Sequence, residues 1–81
     1  MKNFNKWLDA FIEEKGYDLE QVFEVDGPSG WNMIPLGCVV EAIKATTASE
    51  QMGIKNMLVK LDFKNANCLN CFKHLAQAIA Q

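Results

Sequence analysis

Apolar side chains return every three or four residues between Asn67 and Gln81: Leu69, Phe72, Leu75 with Ala76, and Ile79. That spacing draws one stripe down a helix. Asn67 is placed to cap its start, because a side-chain oxygen can accept from a backbone N–H that the first turn leaves free. Ala76, Ala78 and Ala80 favour helix and let a neighbouring element approach closely. The stretch predicts a helix over about 68–80, and the rest of the chain has to provide something for its stripe to cover.

The preceding segments supply three more helical patterns. In the first, over about 3–15, Phe4, Trp7, Leu8, Phe11 and Ile12 form a wide apolar face, and Gly16 is a natural stop. A second, over about 35–45, starts at Pro35, a residue suited to a helix's first turn, and carries Leu36, Val39, Val40 and Ile43. Gly37 weakens that first turn but permits a close approach by another backbone. Cys38 reads as a small apolar filler near the same face. Thr47 and Glu50 make a capping box for a third pattern, over about 48–61, whose inner face reads as Ile54, Met57, Leu58 and Leu61. The segment 62–67 is polar apart from Phe63 and reads as a connector.

Residues 16–34 are harder to place. Asp18 with Gln21 suggests a short helical turn over 18–23, with Leu19, Val22 and Phe23 facing inward. Alternating residues on both sides of Asp26-Gly27-Pro28-Ser29-Gly30 suggest a hairpin. Arms of only three or four residues would need a helix to pack on. The expectation for 24–34 is an irregular loop or a tiny hairpin. The fold class expected is therefore all-α, a bundle of about four helices forming a single domain over residues 1–81.

Eighty-one residues bury a modest core, so a partner or self-association is expected to contribute. A hydrophobic fraction of 49% is too high for a disordered chain. No apolar run approaches the roughly 20 residues of a membrane span, and the N-terminus lacks a signal peptide's apolar region. A cytoplasmic location is expected, with no membrane contact. Three cysteines are no disulfide framework, and reduced thiols are expected.

Charge is unevenly spread. Residues 1–30 hold three lysines against seven acids, a net of −4, and residues 31–81 hold five lysines against three acids, a net of +2. All eight basic residues are lysine. The absence of arginine removes the side chain best suited to bidentate contacts with phosphate or guanine, which disfavours nucleic acid as a partner.

Three groups of residues carry possible function. Trp7, Phe11 and Trp31 are the candidate contacts for a protein partner or for self-association, although an aromatic helix face more often packs into a core. The pair of helices on either side of 46–48 has the lengths of a helix-turn-helix, and Lys55, Asn56 and Lys60, with Gln51, would be its polar readers. Net acidity and Gly53 inside that second helix oppose this reading. Cys68, Cys71 and His74, with Cys38, supply the donor types of a zinc site. On one helix, however, Cys68 and His74 lie roughly 120° apart, so His74 is expected to face water while Cys68 packs beside Phe72.

The run Leu61-Asp62-Phe63, four residues, then Cys68-Leu69-Asn70-Cys71-Phe72-Lys73 also resembles the thioredoxin family around its active site. The resemblance covers about 13 residues and would imply a thiol made nucleophilic at a helix start. The chain departs from the family in lacking a tryptophan before the first cysteine and a Gly-Pro between the two. It also has only ten residues after Cys71, where that family places further strands. The function expected is a small non-enzymatic interaction or regulatory module without a cofactor. A DNA-binding regulator is the alternative, and a thiol or zinc role through Cys68 and Cys71 the third reading.

Overall fold

The computed structural model describes residues 2–28 and 30–81, with Lys2 and Trp31 described in their backbone alone. The elements run α1 (Lys2–Lys15), β1 (Val22–Gly27), β2 (Gly30–Pro35), α2 (Leu36–Lys44), α3 (Ala48–Phe63) and α4 (Cys68–Ala80). The fold is mostly helical but not purely α, which corrects the all-α expectation.

Helix ends follow local chemistry. Thr47 accepts from the Glu50 N–H at the start of α3, and Asn67 accepts from the Leu69 N–H at the start of α4. Both α1 and α3 end in a Schellman motif. At α1 the Gly16 N–H donates to Glu13 and the Tyr17 N–H to Ile12, with Gly16 at φ 69°. At α3 the Asn65 N–H donates to Asp62 and the Ala66 N–H to Leu61, with Asn65 at φ 56°. Asparagine tolerates that left-handed position better than most residues.

The hairpin is longer than the sequence suggests. β1 and β2 are antiparallel strands of six residues each, paired from Val22↔Pro35 to Gly27↔Gly30. Residues 18–21 form a turn rather than a helical turn: the Asp18 carboxylate accepts from the Glu20 N–H, and the Gln21 N–H donates back to the Asp18 carbonyl. Leu19 and Val22 are exposed, and Phe23 alone of the three expected residues points inward. Strand geometry sends alternate side chains to opposite faces, so Phe23 and Val25 enter the core while Val22 and Glu24 face out.

What holds so small a sheet is α4. The Gln77 side-chain amide reads the β1 edge as a third strand would: its Oε1 accepts from the Asp26 N–H at 2.9 Å and its Nε2 donates to the Asp26 carbonyl at 2.6 Å. Gln81 adds a donor to the same carbonyl at 3.3 Å. These bonds satisfy an edge that would otherwise be open to another chain. On the other side, the Gly37 N–H donates to the Leu19 carbonyl at 2.9 Å, and a Cβ at position 37 would stand 3.4 Å from that oxygen. Gly37 is the close approach its sequence suggested.

A continuous core joins Phe4, Leu8 and Ile12 of α1, Val25 of β1, the Leu36–Val39–Ile43 line of α2, Leu58 of α3, and Phe72 and Ala76 of α4. Four expectations about facing are corrected. Cys38 is exposed rather than filling the core. Met57 is 42% exposed and Ile79 is 46% exposed. Gln51 is buried, its Nε2 donating to the Lys44 carbonyl at 3.1 Å. The buried residues of α4 are Cys68, Cys71, Phe72 and Ala76; Phe72, Ala76 and Cys68 face inward as expected, and Cys71 joins them where β1 and α2 both pack on the helix.

Candidate interaction surface

The groups of possible function are dispersed by this fold. Cys68 and Cys71 are buried, whereas Cys38, on α2, and His74 are exposed. The four proposed zinc donors do not converge, and among the described residues no three of His, Cys, Asp and Glu gather into a metal-binding group. Helix geometry accounts for this, since one face of α4 cannot present both Cys68 and His74. Leu61-Asp62-Phe63 ends a helix, not a strand, so the segment departs further from the thioredoxin pattern.

The surroundings of Cys71 disfavour its thiolate. Burial pushes the Cys71 thiol above its ordinary value of 9.0, with the neighbouring Cys68 acting in the same direction. Tyr17, packed edge-on against Phe72 at 6.2 Å between ring centroids, is likewise raised above 10.0, first by burial and then by Cys68. An acid whose pKa is raised by folding holds its proton more tightly in the native state. Its contribution to stability is therefore complete below the unfolded pKa and is lost as pH rises through the folded one. Stability is expected to fall above about pH 9, where Cys71 of the unfolded chain ionises first. Cys71→Ser should cost about 1–3 kcal/mol at neutral pH and make that alkaline decline shallower, as urea midpoints measured from pH 7 to 10.5 would register. Under native conditions Cys38 should react with a thiol reagent well before the other two.

The aromatic contacts expected for a partner divide three ways. Phe11 is buried and belongs to the core. Trp7 is half-buried, between Phe4 and Phe11, with the Lys55 ammonium 5.3 Å from its ring centroid. The Trp31 side chain lies outside the described residues. Of the residues proposed to read DNA, Lys55 is therefore held over Trp7, and Asn56 and Lys60 are exposed on α3.

An unanticipated surface lies on α3 itself. Phe63 is 88% exposed, Met52 54% and Val59 48%. At about 100° per residue, positions 52, 59 and 63 fall within roughly 40° of one another. Asn56 completes the row between them. Leu58 and Leu61, which face the core side, lie roughly 120–180° round the helix. Helix α3 thus carries apolar residues on two faces, and packs on α1 and α4 through one of them. A soluble surface helix ordinarily keeps its outer face polar. The flank beside α1 is charged: Lys55 lies over Trp7, and Asp62 forms an ion pair with Lys15. Asp62, with Glu14 helping, raises the Lys15 pKa.

A groove opens on the inner side of α3, between it and α2 and α4, with a volume of about 280 Å³. Ile43, Ile54, Leu75 and Ile79 line it, and Glu50 brings the one charge to its wall. That volume falls below the roughly 300–1,000 Å³ of typical small-molecule sites, and suits a single apolar side chain. The α3 face could be detected in the sequence only by testing residues 48–63 for a second stripe. Phe63 alone, between Asp62 and a polar connector, gives no local sign of it. Compared with protein-family models, with curated proteins and with solved structures, the chain matches none of them.

Proposed function

We propose that the chain is a small non-enzymatic interaction module that binds another protein surface through the outer face of α3. The observation that carries this reading is Phe63. An aromatic ring left 88% exposed forgoes about 1.5–3 kcal/mol that burial would supply, and Met52 and Val59 extend the same apolar row. Contiguous exposed apolar surface of this kind marks a binding site more often than scattered single residues do. Trp7, beside the charged flank, is the natural aromatic neighbour of such a contact. No helix among the described residues is long and apolar enough to cross a membrane, and all three cysteines are free thiols, which supports a cytoplasmic setting.

The DNA-binding reading loses support from the same face. A recognition helix offers hydrogen-bonding groups to base edges and cations to phosphates. Here the exposed row offers Met52, Val59 and Phe63 around a single amide. Salt titration with mixed duplex DNA separates the two readings, since phosphate contacts make affinity fall steeply with salt.

The test of the proposal is Phe63→Glu. The side chain is exposed, so the variant should fold with unchanged circular dichroism and a midpoint within about 0.5 kcal/mol of the original. Its association with itself or with any protein retained from a host extract should be lost. An identical set of retained proteins and an identical sedimentation profile for both forms would sink the reading.

A further inference from the structure

The row on α3 has a period that specifies more than general stickiness. Ser49, Met52, Asn56, Val59 and Phe63 are separated by three, four, three and four residues. That is the a/d repeat of a helix seam, with an asparagine at its central a position. Such an asparagine costs stability but fixes register and the number of strands. A disordered apolar patch or a lipid surface has no use for a register. We propose, on the reading of α3 as the contact face, that its occupant is a second copy of the chain, with the two α3 helices packed antiparallel across a two-fold axis.

Charge selects the antiparallel arrangement. The flanking positions beside α1 are Lys55 and Asp62, and the opposite flank carries Gly53 and Lys60. Parallel pairing would set Lys55 of each copy against Lys60 of the other, two like-charge contacts. Antiparallel pairing that seats Met52 against Phe63 and Asn56 against Val59 of the second copy sets Lys55 against Asp62 instead. The two-fold axis makes that contact twice. The same register brings the two Asn56 side chains within about 5 Å of each other along the axis, so their amides can bond across it. Hydrophobic row, polar pin and flanking charges all agree on one register.

The helix is sixteen residues long, about 24 Å. A single pair of such helices buries less than the roughly 800 Å² per partner of a standard interface. The dimer is accordingly weak, with a dissociation constant on the order of 10–100 µM.

Sedimentation of the full chain at about 1–1,000 µM, a decade either side of that range, is the first measurement. It should show monomer passing to dimer as concentration rises, and Phe63→Glu should remain monomeric. Charge reversal tests the arrangement itself. Lys55→Glu and Asp62→Lys should each weaken self-association about tenfold, because each places like charges at both symmetric contacts. Mixed together, they should form a heterodimer with near-original affinity, since both cross-contacts are again of opposite sign. Circular dichroism and urea midpoints check the fold of each, since Asp62→Lys replaces the half-buried ion pair with Lys15 by two neighbouring lysines. Dimerisation that Phe63→Glu leaves intact overturns the proposal, and so does a mixture that fails to pair. A chain monomeric at every concentration also overturns it. In that last case, Phe63-dependent capture of a different protein leaves the interaction reading standing. Phe63-dependent binding to vesicles of phosphatidylserine and phosphatidylcholine alone ends both.

Discussion

Replacing Phe72 by alanine is expected to remove about half of the stability of this protein. Phe72 is fully buried where α4 meets the hairpin and α2, and its ring meets Tyr17 edge-on. Truncating a buried phenylalanine costs about 3–5 kcal/mol, from lost burial plus the cavity left behind. A chain of this length has a total stability of roughly 4–12 kcal/mol, so the loss is about half of a mid-range value and all of a low one. At about 4–8 °C per kcal/mol the midpoint temperature should fall by at least 12 °C. Urea unfolding should show a lower midpoint with little change in slope, because the surface exposed on unfolding is nearly the same. Phe63→Ala supplies the contrast. The residue type is the same and lies nine positions away, yet with 88% of its surface already in water its removal should change stability by no more than about 0.5 kcal/mol. A loss at position 63 comparable to that at 72 would show that the outer face of α3 is covered within the monomer.

The two phenylalanines also show what the sequence made legible. Phe72 repeats with Leu69, Leu75 and Ala76 at helical spacing, and so does each apolar line that ends up in the core of α1 and α2. Helix starts were legible because capping is local: Thr47 and Glu50, or Asn67 and Leu69, complete their bonds within a few residues. Phe63 was not legible, since it follows the last inward residue of α3 and precedes a polar connector. The stripe it belongs to appears only when α3 is known to run two residues past Leu61.

The hairpin was obscured for a different reason. Its strands take their stability from partners far along the chain. Asp26 is held by Gln77 across 51 residues, and no periodicity within 22–35 encodes that bond. Val22 alternates correctly for a strand but remains exposed, so burial gives no signal at the strand's beginning. Partners far along the chain also set the facing of α4. An isolated helix with Leu69, Phe72, Leu75 and Ile79 would bury that line. With β1 and α2 both packed on it, the helix buries Cys71 beside Cys68, Phe72 and Ala76, and leaves Leu69 and Leu75 half-buried and Ile79 exposed. Cys68 lies beside Phe72 in the core, as its helical position implies, and Cys71 is buried next to it.

The second large effect expected is at Val25, and it tests whether the hairpin belongs to the core or merely lies on it. Val25 is 1% exposed and stands across from Asn32 in the ladder. Val25→Asp loses the burial of a valine, about 1.5–3 kcal/mol, and asks the core to take a carboxylate. An ionised group there has no partner, so the introduced carboxyl is expected to stay protonated in the folded state well above its usual pKa of about 3.9. The sign of the pH dependence follows. Folding raises the pKa, so the folded chain binds the proton more tightly, and the variant is least destabilised below about pH 4. As pH rises toward 7 the unfolded carboxyl ionises freely while the folded one resists, and stability falls by about 1.4 kcal/mol for each unit of the upward shift. The difference in stability between Val25→Asp and the original chain should therefore grow from pH 4 to pH 7 before it levels off. Val25→Asn lacks the titrating group, so its deficit should stay constant over the same range. Circular dichroism with urea titration at four pH values is sufficient to compare the three proteins. A pH-independent deficit for Val25→Asp would mean that the β1 strand swings away to solvate the charge, leaving α4 without the sheet that Gln77 holds against it.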